Sequence, residues 1–216
     1  GAGNTFVDGE ANASSWTFSQ KVAVASLTFR SYRDAPLQFS AATASGSRVV
    51  DVLIHRCAAS ADGALLVNRA TDVELVSSTV FDNRPGVATA PALRVRGRGA
   101  LTIRNTIVWN PALAAEVSLE ANTNAAAHFS LVRGDTLSGS GNVVGVTDPR
   151  LRSDGHLTAG SPARRKGSVD ASVLVDMDLE SRAATIGDIG VDEFVDSDAD
   201  ELSDWWERQT TGSLSV

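Results

Sequence analysis

The residues with the clearest chemical potential lie near the end of the chain, where carboxylates recur at a regular spacing. Counted from Asp196 as position 1, they fall at positions 1, 3, 5, 9 and 12: Asp196, Asp198, Asp200, Asp204 and Glu207. Calcium takes about six to eight oxygen ligands, and alternate residues of a tight turn can direct several carboxylates to one centre. The spacing predicts a Ca²⁺ site, with the backbone carbonyl of Leu202 at position 7 and a bidentate Glu207.

This acidic segment resembles the EF-hand-like calcium loops of thrombospondin-type-3 and dockerin-like repeats. The resemblance implies a loop of alternating ligands that leads into a short helix beginning at Trp205. One position departs from the pattern: Glu201 stands at position 6, where glycine usually supplies a positive φ. The alternative interpretation is an acidic, solvated linker to a further domain.

Other reactive residue types are scattered along the chain. None of His55, His128 and His156 has a second histidine or cysteine at metal-ligand spacing, and surface positions are predicted for them. Cys57 is the only cysteine, so an intrachain disulfide is excluded, and a packing role is predicted for it. Signatures of nucleotide-binding loops and of serine hydrolases are absent from the sequence.

Charge and composition argue against a nucleic-acid partner and against a membrane-spanning segment. The formal net charge is −7, which argues against a nucleic-acid partner because such a partner requires a basic surface. The sequence has no apolar run long enough to span a membrane. It begins at Gly1 without methionine, which suggests a processed or excised piece, so a catalytic region could lie upstream.

Two series of short, alternating apolar segments recur in the same order along the chain. The first comprises residues 27–29, 52–54, 73–75, 101–103 and 127–129; the second comprises residues 37–39, 65–67, 93–95 and 117–119. Alternation with β-branched and aromatic residues predicts strands with one buried face, separated by turns rich in Gly, Asn, Asp and Pro. Two aligned columns with irregular insertions favour a solenoid over a β-sandwich.

Residues 141–194 carry a more specific signature, with Asp148-Pro149, Gly160-Ser161-Pro162-Ala163 and Asp188-Ile189-Gly190 as its main elements. It resembles the C-terminal region of secreted bacterial right-handed parallel β-helix proteins of the pectate-lyase-like superfamily, of the choice-of-anchor type. Departures are Arg164-Arg165 in place of Ile-Asp, and Leu179-Glu180 in place of an Asp-Gly turn. The resemblance implies an extracellular or cell-surface location and a terminal cap that covers the open end of the solenoid.

These observations predict an all-β fold, namely a right-handed parallel β-helix with a C-terminal cap and a short acidic calcium-loop-like tail. The predicted boundaries are residues 1–140 for the coils, 141–194 for the cap and 195–216 for the tail. At least four coils, and five by the first series, are predicted between Leu27 and Leu131. The open N-terminal end at Gly1 could also stack on a second copy of the chain.

Polysaccharide lyases on β-helices use a basic residue beside calcium-bound carboxylates, and glycoside hydrolases use paired carboxylates. Arg30, His55 and Arg104 are the weak catalytic candidates, but the aligned outward positions of the first series contain only one carboxylate, Glu74. Candidate contacts to a polysaccharide or cell-surface glycan are Arg30, His55, Arg94, Arg96 and Arg104. The sequence favours a non-catalytic extracellular module that is structural or adhesive. The alternatives are the C-terminal part of a polysaccharide lyase or glycoside hydrolase, and a self-assembling subunit.

Overall fold

The computed structural model describes residues 5–10, 15–134, 137–146 and 148–214. Short β-strands dominate these ranges, together with one 3₁₀ turn at Ala42–Ala44 and one α-helix, α1, at Asp204–Thr210. The strands are β1 Thr5–Asp8, β2 Trp16–Phe18, β3 Ala23–Arg30, β4 Leu37–Phe39, β5 Arg48–His55, β6 Ala58–Ala59, β7 Leu65–Asn68, β8 Val73–Val76, β9 Thr79–Phe81, β10 Arg84–Pro85, β11 Pro91–Arg96, β12 Ala100–Arg104, β13 Ile107–Trp109, β14 Ala115–Leu119, β15 Asn124–His128 and β16 Leu131–Val132.

The strands stack in parallel, coil upon coil, as a β-solenoid of about five turns, which confirms the predicted parallel solenoid. One long sheet contains nine strands, with β5 near its middle, and a second sheet has the order β14-β11-β7-β4-β2. The pair β6 and β10 forms a small third sheet. Each coil therefore contributes to both long sheets, and the apolar core lies between them.

The second repeat series has the register that the sequence predicts. Leu37 pairs with Leu65, Leu65 pairs with Leu93, and Leu93 pairs with Val117. The first three are fully buried, so this column forms one wall of the core. Because each coil contributes one strand to this column, the alternation alone was sufficient to predict its register.

The first repeat series mixes two columns, and the predicted alignment of Val52 with Val73 is wrong. Each coil contributes two successive strand segments to the nine-stranded sheet, and both alternate in the same way. One inward column contains Val24, Val49, Leu75, Ile103 and Ala127; the other contains Phe29, Ile54, Val80, Val108 and Val132. Segments 27–29 and 52–54 belong to the second column, whereas 73–75 and 101–103 belong to the first.

A stacked bend separates the two columns in every coil. Its residue adopts a positive φ of 45–54°, at Ser26, Asp51, Ser77, Asn105 and Phe129. A single left-handed residue turns the chain while the alternation continues on either side, so the pattern alone does not reveal the bend. The alternation of segment 127–129 predicts that Ala127 and Phe129 both point inward. Phe129 instead occupies this bend and is 37% exposed, while Ala125 and Ala127 fill the core.

Polar ladders run through the interior beside the apolar columns. Asn83 donates from Nδ2 to Asn110 Oδ1 at 2.9 Å, and its backbone N–H donates to the same oxygen at 3.0 Å. Asn110 Nδ2 donates to Val80 O at 2.9 Å and to Glu116 Oε2 at 2.9 Å. Arg133 in turn donates to Glu116 at 2.7 Å. The ladder satisfies backbone groups at the coil corner that the strands leave unpaired.

Replacing Asn110 by alanine should lower the free energy of unfolding by about 2 kcal/mol, because several buried polar partners would lose their hydrogen bonds. Urea unfolding followed by circular dichroism would measure the loss. Asn124→Ala is the matched control, since Asn124 is exposed at the start of β15. Equal stability of the two variants would show that the ladder contributes nothing.

The chain after the last coil does not remain at the end of the solenoid. Residues 138–143 lie on the final coil, where Ser138 and Ser140 accept backbone hydrogen bonds from Ala127 and Phe129, both at 2.9 Å. Residues 149–194, named here the return segment, then pack along the outer face of the nine-stranded sheet. We expected residues 141–194 to cover the open end, but the structure places most of them on this flank.

Apolar and polar contacts attach the return segment to the sheet. Ile189 packs against Ile107 and Leu131, and a second cluster joins Met177 and Val191 to Leu53 and Phe81. The Gly190 N–H donates to Asn105 O at 2.8 Å, and the Val191 N–H donates to Thr79 Oγ1 at 3.0 Å. These contacts bury outward residues that would otherwise face solvent.

Buried carboxylates organise the return segment, which has little regular secondary structure. Asp188 accepts from the backbone N–H groups of Arg165 at 2.6 Å and Phe194 at 2.8 Å, and Asp192 accepts from Leu157 at 2.7 Å. Side chains therefore satisfy backbone donors that a strand or helix would otherwise pair. This explains why the motif around Asp188 and Asp192 is rich in acidic residues.

Candidate functional site

The predicted calcium loop brings its first three carboxylates together. Asp196, Asp198 and Asp200 each place an oxygen within 4.8 Å of the others. Asp196 accepts from the backbone N–H of Ala199 at 2.8 Å and of Glu201 at 3.1 Å, so its side chain closes the turn. The arrangement offers a divalent cation several hard oxygen ligands at one point.

Glu207 lies in the first turn of α1, close enough to this cluster for the aspartate charges to act on it. Its side chain is 0% exposed, and neither carboxylate oxygen has a hydrogen-bond partner among the described residues. Burial raises the pKa of Glu207 above its usual value, and the charges of Asp198 and Asp200 raise it further. A buried carboxylate without a partner, facing other carboxylates, is a costly arrangement unless a cation compensates it.

The remaining loop positions, Glu201, Leu202 and Asp204, differ in backbone conformation and in hydrogen bonding. Glu201, at the usual glycine position, has a φ of +73°, so the backbone adopts the left-handed conformation although a side chain is present. Asp204 instead accepts from Ser197 N at 2.7 Å and from Ser197 Oγ at 2.6 Å, which fixes the loop to the start of α1. Leu202 is half-buried, and its N–H donates to Asp200 at 2.8 Å.

Helix α1 is attached to the return segment by its aromatic and basic side chains. Trp205 stacks on His156 with ring centroids 3.7 Å apart, and Arg208 forms an ion pair with Glu180. Ser203 caps the helix by accepting from the Trp206 N–H at 3.3 Å. The loop is thereby fixed to the return segment through its helix.

His156 is buried between two carboxylates. Its Nε2 lies 2.7 Å from Asp178 Oδ2, and its Nδ1 lies 2.9 Å from Asp154 Oδ1. Burial alone would lower the pKa of His156, but the two carboxylates outweigh burial and raise it to about 10. The ring is therefore a protonated imidazolium at neutral pH, and the predicted surface position of His156 is wrong.

Asp192 completes this buried group. Its carboxyl lies near His156 and Asp178, and burial raises its pKa to about 8. The three residues have ligand atoms close enough for a metal ion. In the structure, however, the His156 imidazolium already provides the positive charge between the acids, so the group is explained as a charge cluster that attaches α1 to the return segment.

The five basic residues predicted as glycan contacts are distributed over separate surfaces. Arg30 and His55 are register partners on the neighbouring strands β3 and β5, in the second strand segment of their coils. Arg104 lies in the first strand segment of its coil, where it pairs with Val76. Arg94 and Arg96 lie on the other long sheet, paired with Glu120 at 2.9 Å and Asp62 at 2.6 Å. Only Arg30 and His55 share one pocket.

His55 points outward from its strand, as predicted, yet it is only 4% exposed, so its predicted surface position is wrong. The return segment and α1 cover it, and its ring stacks on Phe81 with centroids 5.6 Å apart. Sequence periodicity could assign the face of the strand but not the segment that covers that face. His128 is half-buried, and Cys57 is fully buried with burial raising its thiol pKa to about 12.

No family model, curated protein or solved structure matches this chain. Within the part of the chain that the structure describes, no helix combines the length and apolarity needed to cross a bilayer.

Sequence reasoning missed the group around His156 and Trp205. These residues are 49 positions apart in sequence, and neither belongs to a repeat. A usable signal was the recurrence of aspartate at residues 148–192, where the sequence has seven. Several of these carboxylates are buried and satisfy backbone donors.

Proposed function

We propose that this chain is a non-catalytic extracellular β-solenoid module of a bacterial surface or secreted protein. It binds Ca²⁺ through residues 196–207, and it contacts glycans on the flank of the solenoid. The observation that carries the calcium part is Glu207, a buried carboxylate without a partner that faces three clustered aspartates.

The arrangement of charges supports calcium rather than a bare acidic linker. A solvated linker would leave its carboxylates apart, whereas here Asp196 organises a closed turn that brings three carboxylates together, and Glu207 is buried although Asp198 and Asp200 are exposed. The Asp204 carboxylate already accepts two hydrogen bonds from Ser197. It would therefore support calcium binding by holding the loop in place or by contacting the ion through a water molecule. Such loops in extracellular modules bind calcium at about 10⁻⁴–10⁻³ M, which fits the proposed location.

The non-catalytic part rests on the ion pairs of the basic candidates. Arg94 and Arg96 are each paired with a carboxylate, and Arg104 lies in the other strand segment from Arg30 and His55. Burial lowers the pKa of His55 to about 4, which makes it a poor general acid at neutral pH. Incubation with acidic and neutral polysaccharides should yield neither unsaturated products nor new reducing ends.

The calcium site is tested by isothermal titration calorimetry of the calcium-free chain. We expect saturable binding of one ion, and loss of that binding in the Asp198→Ala, Asp200→Ala double variant. Asp62→Ala, Asp82→Ala is the matched control, because both aspartates pair with arginines away from the loop. Identical heats for the wild type and the loop variant would remove the site.

A further inference from the structure

A pocket of about 380 Å³ opens between the flank of the solenoid, the return segment and α1. Its volume lies within the range of about 300–1,000 Å³ that is usual for small-molecule sites. The walls that matter for recognition come from four parts of the chain: Phe6, Arg30, His55, Arg56, Trp205 and Gln209. It is therefore formed only when the return segment and α1 are in place.

His55 is the residue in this pocket that lacks a partner. The side chain is only 4% exposed, and both ring nitrogens are buried without a hydrogen bond in the described part of the chain. Burial, together with the nearby charges of Arg56 and Arg30, lowers the pKa of His55 to about 4. The neutral ring thus presents one donor and one acceptor, and leaving both unpaired is unfavourable.

A hydroxyl-bearing ligand satisfies both requirements, because a hydroxyl group donates and accepts. A simple anion would satisfy only the donor nitrogen, and a cation would be repelled by the neighbouring arginines. His156, which also borders the pocket, is ion-paired on one side with Asp154 and on the other with Asp178, so its charge is already compensated without a ligand. The open hydrogen-bonding capacity is concentrated at His55.

The other walls suit the mixed character of a sugar ring. Phe6 is 60% exposed and provides an apolar face, with Arg30 lying 4.9 Å from its ring centroid. Trp205 adds a second aromatic wall, and Leu53 and Met177 line the interior. Arg56 is half-exposed; its Nη2 donates to Ser153 O at 3.2 Å and its Nε lies 3.8 Å from Asp82, which leaves the Nη1 donors for a ligand. Aromatic faces beside a few polar groups are the usual composition of such sites.

We infer that this pocket binds one hydroxylated sugar ring of a glycan, with His55 hydrogen-bonding to ring hydroxyls and Arg56 orienting the ring. This inference rests on the proposed function and locates its glycan contact. Arg94, Arg96 and Arg104, which lie on other surfaces, take no part. His55 and Arg56 are binding residues in this account, and no bond of the sugar is broken.

Two matched tetramers serve as probes: cellotetraose, and the same chain with a carboxylate at each C6 position. Calorimetry should detect binding to the wild type, and His55→Phe should weaken both sugars at least tenfold, since phenylalanine retains the stacking on Phe81 but has no ring nitrogen. His128→Phe, on the outer face of β15, is the matched control and should leave both affinities unchanged. Arg56→Gln should weaken the acidic tetramer more than the neutral one.

Calcium titration of each variant shows that the fold is retained and separates this inference from the calcium site. Sugar affinity that persists in His55→Phe would overturn the assignment to this pocket while leaving glycan contact in place. Failure of both tetramers to bind the wild type would overturn the inference and the glycan part of the proposed function together. Retained sugar binding in the Asp198→Ala, Asp200→Ala variant would support a site that is independent of calcium.

Discussion

Replacing Glu207 by glutamine should raise the dissociation constant for Ca²⁺ by at least about 30-fold, because ligand charge sets the affinity of such loops. Glutamine retains the size of the side chain but offers one oxygen and no charge. The same substitution should raise the melting temperature measured in EDTA, because it removes a buried carboxylate that faces Asp198 and Asp200. A substitution that weakens calcium binding but raises the melting temperature without calcium distinguishes a calcium ligand from an ordinary packing residue.

Calorimetry and thermal denaturation, each with and without calcium, would measure both effects. Glu201→Gln is the matched control, since Glu201 is exposed in the same loop and is not one of the predicted ligands. Because the pKa of Glu207 is raised in the folded calcium-free chain, protonation is favoured there, and calcium affinity should fall on acidification. If Glu207→Gln and Glu201→Gln bind calcium equally well, Glu207 is not a ligand.

Replacing His156 by glutamine should lower the free energy of unfolding by about 3–5 kcal/mol, because it removes the one cation between Asp154, Asp178 and Asp192. The stacking of Trp205 would also be weakened. His128→Gln is the matched control, and urea unfolding is the measurement. Similar stability of the two variants would contradict the role given to the charge cluster.

The same cluster predicts sensitivity to alkaline pH. The folded-state pKa of His156 is raised to about 10, so its stabilising contribution is complete below about pH 6.5 and is lost as the pH rises through 10. The pKa of Asp192 is raised to about 8, so its ionisation destabilises the fold over the range from about pH 4 to 8. Both effects reduce stability as the pH rises, and His156→Gln should remove the part between pH 7 and 10.

Alternation in the sequence was sufficient to predict the parallel solenoid, because strands with one buried face dominate the coils. It predicted the register of Leu37, Leu65, Leu93 and Val117, where each coil contributes a single strand to the column. It failed where each coil has two strand segments joined by one left-handed residue, as at Asp51. Two columns with the same period cannot be separated by period alone.

The site was predictable only in its local part. Calcium ligands within a loop are close in sequence, so the spacing from Asp196 to Glu207 indicates their proximity. The pocket around His55 depends on long-range packing, since residues 149–194 and α1 return over a strand that lies about 100 residues earlier. No local pattern encodes which outward residues such a segment covers, so His55 was assigned to the correct face and the wrong environment.

End-to-end self-association would involve the N-terminal end of the solenoid, of which the structure describes residues 5–10 and 15 onward. Gly1, where end-to-end stacking was predicted, lies outside the described residues. Within the described part of the chain, β1 pairs with β3 and β2 pairs with β4, so each leaves one edge available. Phe6 and Trp16 are 60% and 40% exposed near this end. Stacking of two chains therefore remains a prediction.

The most direct test of the account is a crystal structure grown in calcium, with the ion located by its anomalous scattering. One peak is expected at the acidic loop, about 2.3–2.6 Å from oxygens of Asp196, Asp198, Asp200 and Glu207 and from the Leu202 carbonyl. Both oxygens of Glu207 should be bonded to the ion. No peak at this position in millimolar calcium, or a Glu207 side chain turned away to another partner, would contradict it.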